Sequence, residues 1–246
     1  PQDPHPNPLP EGEGARKLPV VVHVHGGPES QSRPAFNAVV AYFVQRGYAV
    51  LLPNVRGSTG YGRRYTHLDD VKRRMDSVAD LAASARWLVA EGNANPNRVA
   101  VMGGSYGGFM TLAALSTYPE LWAAGVDIVG IGNFVTFLER TGAYRRAHRE
   151  SEYGSLAHHR DVLERISPIH KVDRITAPLM VIHGANDPRV PIYEAEQMVA
   201  ALQARQHPVE YLRFEDEGHG IVKLGNRIVA YGAIGNFLDR YLRDET

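Results

Sequence analysis

The chain reads as one α/β domain, a mostly parallel, doubly wound sheet flanked by helices. Three observations predict it. Short apolar runs of strand length alternate with longer segments of helical pattern along nearly the whole chain. Those runs lead into glycine-rich turns, and the helical segments carry apolar stripes on one side. The length, 246 residues, suits a single large domain, one that buries about 70–75% of the surface of its unfolded chain.

The first seventeen residues stand outside this rhythm. Pro1, Pro4, Pro6, Pro8 and Pro10 are followed by Glu-Gly-Glu-Gly. This is linker composition, without the apolar stretch of a signal peptide. The domain is expected over 18–246. Because the chain starts without methionine, it is expected to be a fragment or processed form of a longer parent.

Strands are expected at 19–25, 48–52, 98–102, 125–130, 178–183 and 209–214. Helices are expected near 34–46, 76–91, 106–117, 133–148, 158–165, 192–205 and 226–243. Phe36, Val39, Val40, Phe43 and Val44 form the i, i+3, i+4 stripe of a helix lying on a sheet. Val78, Leu81, Ala82, Ala85, Leu88 and Val89 repeat it in the next helix. Residues 132–170 interrupt the alternation, with Arg140, Arg145, Arg146, Arg149, Arg160 and Arg165 set among acids and aromatics. Two readings stand for this helical insertion: a small lid or pocket wall, or an exposed connection.

Lysine plus arginine and aspartate plus glutamate balance at 27 each, so the net charge is zero. Nothing marks a partner among nucleic acids or anionic membranes. No apolar run approaches the roughly 18 residues of a membrane span. Cysteine is absent, so no disulfide contributes and no redox compartment follows. Neither localisation nor oligomeric state is encoded.

The chemistry starts at Gly103-Gly-Ser-Tyr-Gly-Gly108. Ser105 is framed by Gly103 and Gly107, after the apolar run Arg98-Val-Ala-Val-Met102 and before a helical stretch. This is the strand–turn–helix setting of a nucleophile elbow, where flanking glycines relieve crowding. Alone the frame is weak in a chain with 24 glycines, because a plain tight turn reads the same way. Two later residues strengthen it. Asp187 follows the apolar run Pro178-Leu-Met-Val-Ile-His183, and His219, between two glycines, follows Val209-Glu-Tyr-Leu-Arg-Phe214. Serine, acid, histidine is the chain order of α/β-hydrolases.

The residue types fit the chemistry. A serine hydroxyl needs a base to remove its proton, and a histidine with a pKa near neutrality supplies one. A carboxylate holds the other ring N–H and stabilises the imidazolium. Ser105, His219 and Asp187 take these catalytic roles. Asp187 could otherwise be a turn former before Pro188. Glu215, Asp216 and Glu217 compete for the acid role but lie too close to His219 in sequence, and are expected to form a solvated acidic loop. His23 and His25 face one side of a strand. His158 and His159 read as solvent-facing. No ligand set at metal spacing accompanies them, so neither metal nor cofactor is expected.

Several motifs together resemble the catalytic domain of the prolyl oligopeptidase family of serine peptidases, in its acylaminoacyl-peptidase branch. They are His25-Gly-Gly-Pro28, Pro53-Asn-Val-Arg-Gly-Ser-Thr-Gly-Tyr-Gly62, Gly103-Gly-Ser-Tyr-Gly-Gly108, Asn186-Asp-Pro-Arg-Val-Pro191 and Gly218-His-Gly220. The resemblance covers the chain from about residue 18 onward. It implies an α/β-hydrolase fold and an acyl-enzyme. It also implies an oxyanion hole from the Tyr106 N–H and from Gly27, with Tyr61 as the alternative donor or a pocket residue. It further implies an N-terminal β-propeller in the parent, for which these residues leave no room. Without that cap, the isolated chain is expected to be a carboxylesterase on short acyl esters. The alternative is a serine-type exo- or oligopeptidase on small peptides. A non-catalytic interaction module on the same fold is the remote third reading.

Overall fold

The computed structural model describes residues 17–243, so the proline-rich start, save Lys17, lies outside the described residues. Six strands form one sheet: β1 (Leu18–Val24), β2 (Ala49–Leu51), β3 (Ala94–Gly104), β4 (Ala124–Ile128), β5 (Leu179–Gly184) and β6 (Val209–Phe214). Their order is β2-β1-β3-β4-β5-β6, and every neighbouring pair is parallel. The chain steps outward from β1 to β2, then returns past β1 and builds β3 to β6 on the other side. The carboxyl ends of β1 and β3 therefore border the point where the winding reverses, where open α/β sheets hold their ligands.

Strand alternation divides the interior in two. On one face Val20, Val22, Val99, Val101, Leu179 and Val181 pack under α3 (Arg74–Ala90), α4 (Tyr106–Thr117) and α8 (Tyr193–Ala204). On the other, Val21, Ala100, Met102, Val126, Met180 and Ile182 pack under α1 (Ala38–Gln45) and α9 (Leu224–Leu242). Every residue of α4 from Tyr106 to Ser116 is buried, as expected of a helix apolar on all sides. No helix among the described residues is long and apolar enough to cross a membrane.

All six expected strands form, though β3 begins four residues early. The first helix is shorter than its stripe suggested. Asn37 caps α1, its Oδ1 accepting from Val39 N at 2.9 Å and Val40 N at 3.3 Å. Phe36 is therefore left outside the helix and 88% exposed. The cap sets the boundary against the apolar pattern. The expected helix over 133–148 is two helices, α5 (Phe134–Arg140) and α6 (Ala143–Tyr153), because Thr141 and Gly142 are extended. A short α2 (Arg63–Thr66) was not legible, whereas α7 (Arg160–Ile166) lies close to its expected place.

Residues 132–170 are more than an exposed connection, because much of the segment packs inward. Phe134, Phe137, Leu138, Val162, Leu163 and Ile166 are buried in the main core. The Phe134 ring meets Phe109 at 4.8 Å and Tyr153 at 4.9 Å between centroids. Arg160 does lie on the surface and pairs with Glu139 at 2.9 Å, but Arg149 is buried beside Glu152.

Two buried carboxyls mark the α4 face. Glu194 joins α8 to the start of α5, accepting from Asn133 N at 2.7 Å and Thr136 Oγ1 at 2.6 Å. Burial pushes it up to about 7 against those hydrogen bonds. Burial also pushes Asp127 up to about 7, with His183 opposing. In the unfolded chain both would titrate near 4. The folded protein thus holds these protons more tightly. The stability they contribute is complete below about pH 4 and is lost as pH rises towards 7. Thermal melts between pH 5 and 8 should show Tm falling as pH rises. The fall should be shallower in Asp127→Asn/Glu194→Gln, and an equal slope in that variant would contradict the assignment.

Candidate active site

Ser105 joins β3 to α4 with φ 58° and ψ −118°, a conformation costly for any residue with a side chain. Its surroundings hold it there. Its N–H donates to Ile128 O at 2.8 Å, and its carbonyl accepts from Gly108 N at 2.9 Å and Phe109 N at 3.1 Å. The flanking glycines are required by contact. A Cβ on Gly103 would stand 2.5 Å from Gly107 O, and one on Gly107 would stand 2.4 Å from Val24 O. Three backbones, those of β1, β3 and the first turn of α4, meet here.

Asp187 lies just past β5. Its Oδ1 accepts from Arg189 N at 2.7 Å and Val190 N at 3.0 Å, a local turn that fixes the carboxylate. Its Oδ2 lies 2.7 Å from His219 Nδ1, and His219 Nε2 lies 3.0 Å from Ser105 Oγ. The structure thus brings the three expected side chains into one line. With Nδ1–H donated to the carboxylate, Nε2 is the free base facing the hydroxyl.

The loop carrying His219 is stapled by Glu217, which is buried. Its carboxylate accepts from Lys223 N at 2.9 Å, Val222 N at 3.2 Å and Asn226 Nδ2 at 2.9 Å. This corrects the expected solvated acidic loop: only Glu215 and Asp216 are solvated, pairing with Arg213 and Lys223.

A second imidazole reaches Asp187. His183 is fully buried in β5; its Nε2 donates to Val190 O at 3.0 Å and stands 3.4 Å from Asp187 Oδ2. Burial alone would raise the Asp187 carboxyl. The hydrogen bonds from His183 and His219 hold it well below the usual carboxylate range. The sequence did carry one sign of His183, a titratable residue inside an apolar strand.

Tyr106 opens α4, so its N–H has no acceptor within the helix. Its side chain is anchored by a brace no sequence signal announced. The hydroxyl donates to Asp69 Oδ2 at 3.0 Å and accepts from Arg74 at 3.1 Å. Arg74 and Asp69 form a fully buried ion pair, and Arg74 also donates to Glu152 O at 2.8 Å. The guanidinium lies 5.2 Å from the Tyr106 ring centre and 5.1 Å from that of Tyr153.

The His25-Gly-Gly-Pro28 loop lies against the elbow: a Cβ on Gly26 would stand 3.5 Å from Ser105 Cβ. Gly27 has φ 134°, and its carbonyl accepts from Tyr153 Oη at 3.4 Å. His25 Nε2 ties the loop to Ser58 Oγ at 2.9 Å. Tyr61 is not brought to this place. It is 56% exposed, its hydroxyl accepts from Asn54 Nδ2 at 2.8 Å, and its ring packs on Tyr65. Among the described residues, no three His, Asp or Glu side chains are grouped to hold a metal ion.

A serine at a strained strand–helix turn, in line with an imidazole and a buried carboxylate on a parallel sheet, defines a serine hydrolase of the α/β-hydrolase fold. The chain belongs to the prolyl oligopeptidase family, whose model matches residues 34–245. It is 40% identical over 233 residues to dipeptidyl peptidase family member 6 of Caenorhabditis elegans, covering 92% of this chain and 32% of that protein. It is 29% identical over 215 residues to the acylamino-acid-releasing enzyme of Arabidopsis thaliana, covering 84% of this chain and 28% of that one. The solved structure of a puromycin-hydrolyzing peptidase from Mycobacterium tuberculosis superimposes with a TM-score of 0.90 at 34% identity, covering 96% of this chain and 36% of its own. The chain thus spans about a third of the length of the relatives it matches.

Arg74→Met should strand the Asp69 charge in the core and cost about 3–5 kcal/mol. Calorimetry should then show Tm lowered by roughly 10 °C. Adding Asp69→Leu should recover most of the loss, since both charges are then gone. No recovery would mean that the pair is not the source of the effect.

Proposed function

We propose that this chain is the catalytic unit of a serine peptidase that cleaves short peptides through an acyl-enzyme. The observation that carries the reading is the line from Ser105 Oγ to His219 Nε2 (3.0 Å) and from His219 Nδ1 to Asp187 Oδ2 (2.7 Å). Ser105 Oγ attacks the scissile carbonyl while His219 takes its proton. The resulting imidazolium is stabilised by Asp187 and passes the proton to the leaving amine. Water then repeats the sequence and releases the acyl group. The developing oxyanion is met by the N–H groups of Tyr106 and Gly27, each worth about 10²–10³ in rate.

Peptides replace short acyl esters as the favoured substrates. The relatives named above are a dipeptidyl peptidase, an acylamino-acid-releasing enzyme and a puromycin-hydrolyzing peptidase, which supports the peptidase alternative over the esterase reading. That the chain spans about a third of those relatives supports a parent with a further domain, for which the β-propeller implied by the sequence motifs remains the reading.

A fluorophosphonate probe should label wild type and leave Ser105→Ala unlabelled. That variant should lose at least about 10³ in kcat. A panel of dipeptidyl, acylaminoacyl and aminoacyl amides should show kcat/KM within the about 10⁴–10⁸ M⁻¹s⁻¹ of ordinary enzymes. Labelling of Ser105→Ala would remove the nucleophile assignment. Fast turnover of p-nitrophenyl esters with none of any amide would return the reading to an esterase.

A further inference from the structure

A cavity of about 280 Å³ opens beside Ser105 on the α9 face of the sheet. Its walls are largely apolar: Ile128 and Ile182 from β4 and β5, Ile221 from the His219 loop, and Tyr231 and Ile234 from α9. Ser105 and His219 themselves form its inner wall. The aromatic cluster of Phe109, Phe134 and Tyr153 belongs to the opposite face, under α4.

Reaction geometry says what this space receives. At the tetrahedral centre on Ser105 Oγ, the oxygen faces the Tyr106 N–H. The leaving amine must stand where His219 Nε2 can protonate it. A cavity bounded by His219 and its loop is therefore on the leaving-group side. At about 280 Å³ it falls just below the about 300–1,000 Å³ of sites for drug-sized ligands, a size for one residue.

Two features mark it as a built recess. Gly104 lines it, and a Cβ there would meet nothing closer than Ile128 O at 3.8 Å. Unlike Gly103 and Gly107, this glycine is not demanded by neighbouring backbone, and its missing side chain leaves the cavity open. His23, on the same face of β1, is a further polar member of the wall, and its buried Nδ1 has no partner among the described residues. Burial and the neighbouring His25 hold this ring down at about 4, so it is uncharged at neutral pH and able to hydrogen-bond a polar group of the ligand.

We infer that this cavity is a subsite for the leaving residue of the substrate, and that it selects an apolar, branched or aromatic side chain directly after the scissile bond. The inference rests on the acyl-enzyme reading above and adds a preference that reading does not contain.

Nucleophile partitioning tests it. The acyl-enzyme is formed from a p-nitrophenyl ester and offered glycinamide, leucinamide or phenylalaninamide. The amine nitrogen attacks the acyl carbon and the C–Oγ bond breaks. The proton passes from the amine through His219 to Ser105 Oγ, leaving an amide product. Wild type should be captured by leucinamide or phenylalaninamide at least about 10-fold more efficiently than by glycinamide, the range a hydrophobic pocket gives for added methylenes. Gly104→Leu, which fills the recess, should bring the ratio close to one. Should that variant not fold, Tyr231→Trp narrows the same space from α9 and should lower the ratio. Equal capture of all three amides by wild type, or an unchanged ratio in a folded, recess-filling variant, would overturn the inference while leaving the acyl-enzyme reading intact. Failure to form any acyl-enzyme would remove the catalytic reading and this inference with it.

Discussion

The whole site hangs on one close approach of backbone to backbone. β1, β3 and the first turn of α4 converge so tightly that Gly107 has room for no Cβ beside Val24 O, nor Gly103 beside Gly107 O. This contact sits where the sheet's winding reverses. It forces Ser105 into a positive-φ conformation, which aims its hydroxyl out over the carboxyl edge of the strands. It also puts the loop after β1 against the serine. Any side chain at either glycine would separate these elements, and the serine, the Tyr106 N–H and Gly27 would lose their mutual positions.

The two faces of the sheet are used differently. The α4 face carries the buried electrostatics: Arg74 with Asp69, Glu194 at the start of α5, and Asp127 and His183 near Asp187. Such groups add little to net stability, and isolated buried charges cost several kcal/mol each. Their effect here is positional: Tyr106 is fixed by its hydroxyl, and Asp187 is held between two imidazoles and two amides. The cavity on the α9 face is walled mostly by apolar side chains, with His23 a polar member beside Ser105 and His219. The site therefore has a rigid, polar side and an open, greasy side.

What the sequence disclosed follows from how local each signal is. Strand positions, the elbow and the serine–acid–histidine series are written in short runs of residues, and each could be read. The residues that position them act across long separations. Arg74 meets Tyr106 32 positions later, and Glu194 reaches Asn133 61 positions back. Such pairs leave no mark on periodicity. Tyr61 shows the opposite failure: its motif suggested a donor, but its hydroxyl is engaged with Asn54 on the surface. Asn37 and Gly142 show local rules overriding pattern, one by capping a helix and the other by standing in the extended link that splits a helix in two. Glu217 looked like one of three equivalent acids. Only the fold of the following loop singles it out.

The proposed nucleophile and its base are 114 residues apart. At about 5–20 residues per second, a ribosome would deliver Ser105 about 6–23 s before His219. During that interval the elbow can form on β3, yet its hydroxyl has no partner to take its proton. The proposed catalytic line is thus incomplete until β6 has added to the sheet and the Glu217-stapled loop has closed. A half-made chain therefore holds the proposed nucleophile without the proposed base.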